Sequence, residues 1–97
     1  MSYKVVFNHP AIRRDIEGFL ESIPPSDQNE IMEAILKLGH NPRPHGVIKI
    51  RPPVAIHHAL AQFRIRQGRY RILYDIDDDR RVVSVIAVRR RREDTYK

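Results

Sequence analysis

Two groups of side chains in this sequence could do chemistry on a phosphodiester. The first is a set of arginines in FRIRQGRYRILYDID, residues 63–77, and the second is RRRREDTYK, residues 89–97, whose next-to-last residue is a tyrosine. A guanidinium group matches phosphate oxygens with two parallel hydrogen bonds and stays protonated throughout the physiological pH range. Together the groups indicate a polyanionic partner and a phenol that can exchange a proton.

Cleavage of RNA by the neighbouring 2′-hydroxyl is a reaction that such a set could catalyse. It needs a base for the 2′-OH, cations that hold the phosphate and its developing charge, and a proton donor for the leaving 5′-oxygen. No histidine or carboxylate is obligatory, so we expect a metal-independent enzyme without a cofactor. Tyrosine has a reference pKa of about 10, and nearby cations lower an acid's pKa by roughly 1 to 3 units, which would make Tyr96 a usable base.

A β-hairpin must position the first group, because apolar and polar residues alternate along it. If Gln67-Gly68 is a two-residue turn, Arg66 lies opposite Arg69 and Arg64 lies opposite Arg71, and directly opposed residues share a face. One side of the hairpin is then apolar, and the other carries four arginines. Like charges opposed across a sheet repel, so stability alone would not select this arrangement, which favours an anionic ligand.

Two other interpretations of these groups stay open. A different turn would shift the register by one residue and scatter the arginines. Arginine is also common on exposed sheet faces, and a run of four arginines is more often a solvated tail than a catalytic element. One observation argues against a solvated tail. The four arginines follow directly on the apolar strand at residues 82–88, so they start at a defined point on the sheet.

The remaining elements predict an α+β fold. A short apolar strand at residues 3–7 precedes a helix whose apolar stripe ends at Pro24-Pro25, and a second helix covers residues 26–38. Residues 41–53 contain four prolines and a glycine and are predicted to be mostly irregular, with a possible extended segment at 47–50. Strands follow at residues 59–66, 70–76 and 82–88. The predicted order is β-α-α-β-β-β, with two antiparallel helices packed on one face of an antiparallel-rich sheet.

The length and charge predict one domain, residues 1–97, with a nucleic acid as partner. The net charge is +6 and the pI about 10.2, and residues 49–97 carry thirteen Lys or Arg against six Asp or Glu. No amphipathic basic helix or apolar membrane span is visible, so nucleic acid is favoured over a membrane. The sequence has no cysteine and no apolar core of a signal peptide at its start, which predicts a cytoplasmic protein.

No residue pattern indicates a metal site. His57 and His58 are adjacent, but neighbours on a strand point to opposite faces, and neither Asp nor Glu lies nearby in the sequence. The segment Asp77-Asp78-Asp79 lacks the remaining ligands of a calcium loop and is predicted to be a polar hairpin turn.

The sequence resembles the RelE/ParE superfamily of bacterial and archaeal type II toxins over nearly its whole length. The resemblance rests on Tyr3-x-Val5, Asn41-Pro42-Arg43, FRIRQGRYRILYDID, the valine-rich strand and RREDTY at residues 91–96. It implies a small toxin that a cognate antitoxin holds inactive. In the RelE branch the toxin is a ribosome-dependent endoribonuclease that cuts mRNA, and in the ParE branch it poisons DNA gyrase.

The resemblance also implies roles for individual residues. Ribonuclease members carry basic residues on the central hairpin, an arginine after the last strand and a tyrosine near the C-terminus. Arg64 and Arg71 match the hairpin residues, Tyr96 matches the tyrosine, and one of Arg90, Arg91 or Arg92 matches the late arginine. We take Arg92, for its four-residue spacing to Tyr96. The residues expected to assist RNA binding are Lys49, Arg66, Arg69, Arg90 and Arg91.

Two positions depart from this pattern. Some ribonuclease relatives have a further basic side chain where Gln62 stands, and many carry a histidine where Arg91 stands.

The hypothesis is an mRNA interferase with an antitoxin, the ribosome and mRNA as partners. The alternatives are a gyrase-directed toxin and a basic module that only binds nucleic acid.

Overall fold

Two helices and five strands make up the described part of the chain, residues 2–91, in a computed structural model. The chain starts with a strand and a helical pair and ends with four consecutive strands. In order these are β1 (Lys4–Val6), α1 (Pro10–Glu21), α2 (Pro25–Leu38), β2 (Ile48–Ile56), β3 (Ala59–Gln67), β4 (Tyr70–Asp77) and β5 (Val82–Arg90).

The strands form one sheet in the order β1-β5-β4-β3-β2, with β1 parallel to β5 and every other pair antiparallel. Both helices pack on the sheet, α1 against β5 and α2 against β1, β3 and β4. The predicted α+β fold, with two helices on an antiparallel-rich sheet, is confirmed. No helix within residues 2–91 is long and apolar enough to cross a bilayer.

The helices bury the stripes that their periodicity predicts. His9 caps α1, where its Nδ1 accepts a hydrogen bond from the Ala11 amide at 3.0 Å, and Pro10 occupies the first turn. The residues of the two helices that lie in the core are Ile12, Ile16, Ile31, Ala34, Ile35 and Leu38. The core sits between these stripes and the sheet, and it contains no buried polar or charged residue among those the structure describes.

The prediction of a mostly irregular segment at residues 41–53 holds for residues 41–47. It was wrong beyond the possible extended segment at 47–50, because β2 covers residues 48–56 and adds a strand to the predicted order. Its two prolines, Pro52 and Pro53, are tolerated because β2 is an edge strand. A strand that pairs on one side alone can lack an N–H without losing a ladder hydrogen bond. The pairing with β3 is interrupted between Lys49 and Val54, the segment that contains both prolines.

His57 and His58 form the turn between β2 and β3 and do not lie on a strand. Both residues have positive φ, 48° and 67°, as the two central residues of a type I′ hairpin turn require. The turn carries His57 over α1, where its Nε2 lies 2.7 Å from Asp15 Oδ2.

The end of α2 lies directly against the start of β1. The Tyr3 amide donates to the Gly39 carbonyl oxygen at 2.6 Å. A Cβ atom added at Gly39 would lie 2.9 Å from the Tyr3 carbonyl oxygen and 3.2 Å from Val5 Cγ2. The position therefore needs glycine for this close approach of two backbones.

A network of polar side chains anchors the segment between α2 and β2. The Tyr74 hydroxyl donates to the Pro42 carbonyl oxygen at 2.6 Å, and burial raises the pKa of Tyr74 to about 12. Arg43 donates to both carboxylate oxygens of Asp78, at 3.1 and 2.9 Å, and the Tyr3 hydroxyl donates to the same carboxylate at 2.6 Å. The bonds from Arg43 and Tyr3 lower the pKa of Asp78 to about 2.

We predict that Gly39→Ala lowers the free energy of unfolding by about 1–3 kcal/mol, because the added methyl group overpacks the contact with β1. Gly18→Ala is the matched control, since Gly18 is exposed on α1 and a Cβ atom there meets nothing within 4 Å. The control should be more stable than wild type by about 0.5–1 kcal/mol. Urea titrations of the three proteins measure both effects, and equal shifts would contradict the close contact.

A pH-dependent effect should follow from Asp78. Because its pKa is lower in the folded chain than its ordinary 3.8, its contribution to stability is present above pH 3.8 and is lost as the pH falls through about 2. Asp78→Asn resembles the protonated carboxyl group. The melting temperature of this variant should be below that of wild type at pH 6, and the difference should vanish by about pH 2. Asp79→Asn, in the same turn, should show no such convergence in thermal melts followed by circular dichroism.

Candidate nucleic-acid interface

The β3–β4 turn sets the relative positions of the hairpin arginines. It consists of Gly68 and Arg69, because Gln67 pairs with Tyr70, and Gly68 adopts φ +58°. The predicted turn at Gln67-Gly68 was therefore wrong by one residue. Glycine takes the first central position, where positive φ is needed and a side chain would be strained.

The corrected turn changes the partners of the arginines and keeps their face. Arg66 lies opposite Arg71, and Arg64 lies opposite Leu73. The observed partner of Arg64, Leu73, is two residues along β4 from the predicted partner, Arg71. Residues two apart on a strand share a face, so Arg64 stays on the arginine-bearing side. The predicted separation of an apolar and an arginine-bearing side is confirmed, since Tyr70, Ile72 and Tyr74 are buried on the helix side.

The sheet face away from the helices, here called the arginine face, carries its side chains in rows that cross β3, β4 and β5. Successive rows are two residues, or about 6.6 Å, apart along β3 and β4. On β5 the pairing register shifts between Ala87 and Val85, so Ala87 and Ser84 are three residues apart. The arginine row consists of Arg66, Arg71 and Arg89, the middle row of Arg64, Leu73 and Ala87, and the polar row of Gln62, Asp75 and Ser84.

The arginine face concentrates positive charge. Within residues 2–91 no ion pair involves Arg64, Arg66 or Arg89. The Arg64 Nε atom is buried and has no hydrogen-bond partner there, and a buried unsatisfied donor costs about 1–3 kcal/mol. Arg66 and Arg71 are directly opposed like charges, which destabilise a sheet. An anion bound on this face would give the Arg64 Nε atom a hydrogen-bond partner.

Arg89 was not among the predicted site residues. The strand was predicted to end at Val88, whereas β5 continues to Arg90 and pairs Arg89 with Arg71. Continuing the period of two from Val88 would have placed Arg89 on the polar side and Arg90 on the apolar side. The alternation in the sequence therefore indicates that Arg89 and Arg90 lie on opposite faces.

The structure does not bring Arg90 to the arginine face. Arg90 pairs with Tyr70 on the helix side, and its guanidinium carbon lies 5.5 Å from the centre of the Tyr70 ring. The Tyr70 hydroxyl donates to Asp27 Oδ2 at 2.6 Å, and this bond raises the pKa of Tyr70. Phe19 packs against the same ring edge to face, with 5.8 Å between ring centres. Arg90 therefore belongs to a contact between β5 and the two helices.

The other predicted RNA-binding residues, Lys49, Arg69 and Arg91, lie outside the three rows of this face. Lys49 pairs with Phe63, so it occupies a position on the apolar, helix-packed side of the sheet. Arg69 is the exposed second residue of the turn. Arg91 lies beside the same turn, where its backbone N–H donates to the Arg69 carbonyl at 2.6 Å and its Nη1 donates to the Gly68 carbonyl at 3.2 Å.

Two predicted catalytic residues, Arg92 and Tyr96, lie outside the described residues. Arg64 and Arg71, the other two, lie on the arginine face in adjacent rows and are each partly buried. Within residues 2–91 no three His, Asp or Glu side chains are grouped as a metal ion would require.

Comparison with known proteins identifies the family. A family model described as the ParE toxin of type II toxin–antitoxin systems matches residues 6–95. A search of curated proteins finds no match.

Solved structures share this fold. A chain of the RelBE2 toxin–antitoxin complex from Mycobacterium tuberculosis is 28% identical, with a TM-score of 0.62 over 94% of this chain and 100% of that one. A chain of the archaeal RelE–RelB complex from Pyrococcus horikoshii is 23% identical, with a TM-score of 0.70 over 96% and 99% of the two chains. The isolated RelE toxin of Escherichia coli is 16% identical, with a TM-score of 0.58 over 97% and 89%.

Adjacent arginines on opposite faces of β5 allow a matched test of the arginine face. For Arg89→Ala, the log-log salt slope of binding to a single-stranded oligonucleotide should be shallower by about 0.7, the loss of one phosphate contact. Arg90→Ala should keep the wild-type slope and lower the free energy of unfolding by about 0.5–1 kcal/mol, because it removes an exposed cation–π contact. Fluorescence anisotropy at several salt concentrations and urea unfolding measure the two effects. An equal loss of slope in both variants would contradict the assignment of faces.

Proposed function

The chain belongs to the ParE toxin family of type II toxin–antitoxin systems, and we propose that this member of the RelE/ParE superfamily is a ribosome-dependent endoribonuclease that cuts mRNA in the cytoplasm. The observation that carries the proposal is the arginine face, where four arginines from three strands lie in two adjacent rows. Protein–nucleic acid affinity comes largely from contacts of Lys and Arg with phosphates.

Arg64 and Arg71 are proposed to hold the scissile phosphate. They come from neighbouring strands and adjacent rows, so two guanidinium forks can approach one phosphate from two directions. Charge develops on the non-bridging oxygens as the 2′-oxygen attacks phosphorus and the bond to the 5′-oxygen breaks. Donors that are already in place for this charge cost no reorganisation during the step. Arg66 and Arg89 are placed to bind the flanking backbone.

The proton transfers are assigned to Tyr96 and Arg92, on the resemblance to ribonuclease members alone. Tyr96 is proposed to take the proton of the attacking 2′-OH, and Arg92 to stabilise the transition state or supply the proton to the leaving 5′-oxygen. The products are a 2′,3′-cyclic phosphate and a 5′-hydroxyl. A tyrosine acts as base only if its pKa is lowered, and the four arginines of the arginine face are cations of the required sign.

A cognate antitoxin is the proposed protein partner, because the two most similar structures described above are toxin–antitoxin complexes. A groove of about 580 Å³ runs between α2 and the end of β3. Its apolar residues include Ala34, Leu38, Ile48 and Ile65, and its polar residues include Glu30, Glu33, Lys37 and Arg66. This composition suits an amphipathic segment with charges of both signs.

A second candidate function is inhibition of DNA gyrase. It is favoured by the match to a model described as the ParE toxin, and the resemblance implies gyrase as the target in that branch. A basic face can hold DNA as well as RNA, since phosphate contacts carry no sequence information. The reaction products, and not binding, therefore distinguish the two candidates.

Cleavage of ribosome-programmed mRNA should depend on both arginine and tyrosine. Arg64→Ala is expected to lower the rate about 10²- to 10³-fold, as for loss of one donor to a developing oxyanion. Tyr96→Phe is expected to lower it about 10²- to 10⁴-fold, as for loss of a general base. Arg80→Ala removes one exposed cation from the β4–β5 turn and should cut at the wild-type rate. Mapping of the 5′ ends on the message measures all four proteins.

Inducible expression separates the remaining outcomes. Growth arrest with intact mRNA and inhibited supercoiling would overturn the ribonuclease proposal in favour of gyrase inhibition. Nucleic-acid binding without growth arrest would leave the protein as a binding module alone.

A further inference from the structure

Of the three rows of the arginine face, the polar row is the one that contains no arginine. Gln62 Nε2 donates to Asp75 Oδ1 at 3.0 Å between β3 and β4. Ser84 pairs with Asp75 across β4 and β5, and Asn8 Nδ2, just after β1, donates to Ser84 Oγ at 3.1 Å. Gln62, Asp75 and Ser84 are each partly exposed. Gln62 on β3 and Ser84 on β5 thus flank Asp75 on β4, and Asn8 contacts Ser84 from just beyond β1.

The carboxylate of Asp75 has capacity left for a ligand. Gln62 occupies Oδ1, and no ion pair within residues 2–91 involves Asp75. An ionised carboxylate offers about four acceptor sites over its two oxygens and no donor. Gln62 also keeps its second N–H, because an amide nitrogen carries two. A negative charge next to the arginine face weakens phosphate binding, so this pair does not serve the backbone of a nucleic acid.

We propose that Asp75 and Gln62 form a base-reading subsite that selects guanine, beside the phosphate held by Arg64. This inference rests on the proposed binding of RNA to the arginine face. Guanine presents two adjacent N–H donors, at N1 and N2, followed by the O6 acceptor. Asp75 accepts from the two donors, and the free N–H of Gln62 donates to O6. Adenine, cytosine and uracil each place an acceptor where this carboxylate requires a donor.

The spacing of the rows supports the assignment. Gln62 and Arg64 are two residues apart on β3 and share a face, about 6.6 Å from each other along the strand. An unstacked base can then lie over the polar row while its phosphate rests on Arg64. Sequence-specific recognition of RNA works in this way, on single strands whose base edges are exposed.

Asp75→Asn distinguishes base reading from a purely structural role. The new amide oxygen still accepts the hydrogen bond from Gln62, so the cross-strand contact is kept. The second oxygen becomes an NH2 group, which opposes the donors of guanine. Asp79→Asn makes the same change of charge in the β4–β5 turn and serves as the matched control.

The probes are hexanucleotides with 2′-O-methyl riboses, which cannot be cut: a single guanine in a uridine background, the same oligonucleotide with inosine, and all-uridine. Wild type should bind the guanine probe about 5- to 150-fold more tightly than all-uridine, the range of one good bidentate base contact. Inosine lacks the N2 amino group and should fall between them. Asp75→Asn should bind all three equally, while Asp79→Asn should keep the wild-type ratios.

Equal binding of the three probes by wild type would overturn the proposal, and this comparison needs no variant. Unchanged ratios in a folded Asp75→Asn protein would also overturn it. The ribonuclease proposal is tested separately, since absent mRNA cleavage with intact guanine selectivity would remove the enzyme activity and keep the subsite.

Discussion

The pairing register of β4 with its two neighbours is the constraint on which the rest of the structure depends. Tyr70, Ile72 and Tyr74 are 3%, 0% and 0% exposed beneath the helices. A slip of one residue would turn all three toward solvent and bury Arg71 instead. Fully burying a large apolar side chain contributes about 1.5–3 kcal/mol, so this alternative register is strongly disfavoured. With β4 fixed in this register, the alternation of side chains along the strand places Arg71 on the face away from the helices.

The core on the helix side of the same strands thus stabilises the fold and offsets the repulsion between the opposed arginines of the arginine face. Arg66 and Arg71 repel each other across β3 and β4, and opposed like charges cost a fraction of a kcal/mol up to about 1 kcal/mol. The apolar side chains on the helix side outweigh this cost several times. A ligand that binds the folded state alone adds stability that grows with the logarithm of its concentration over its dissociation constant. A polyanion bound on this face would therefore stabilise the fold.

Particular residues show where prediction from the sequence succeeded and where it failed. The helices, the apolar side of the hairpin and the arginine side followed from periods of 3.6 and 2, which are local properties of the chain. The second half of β2 was missed because Pro52 and Pro53 argue against a strand unless its position at the sheet edge is known. The turn at Gly68 was misplaced because glycine fits more than one turn position. Arg90 was grouped with its neighbours because a run of like residues hides the alternation.

The sequence by itself determined which side chains face the core and which face carries the arginines, and it predicted a polyanionic partner. Those properties depend on the spacing of residues along one strand. The tertiary structure decided which side chains meet across strands: Arg71 with Arg66 and Arg89, Arg90 with Tyr70, and Gln62 with Asp75. Such contacts depend on register and strand order, which are set by turn geometry and by the packing of distant segments and are not encoded at any single position.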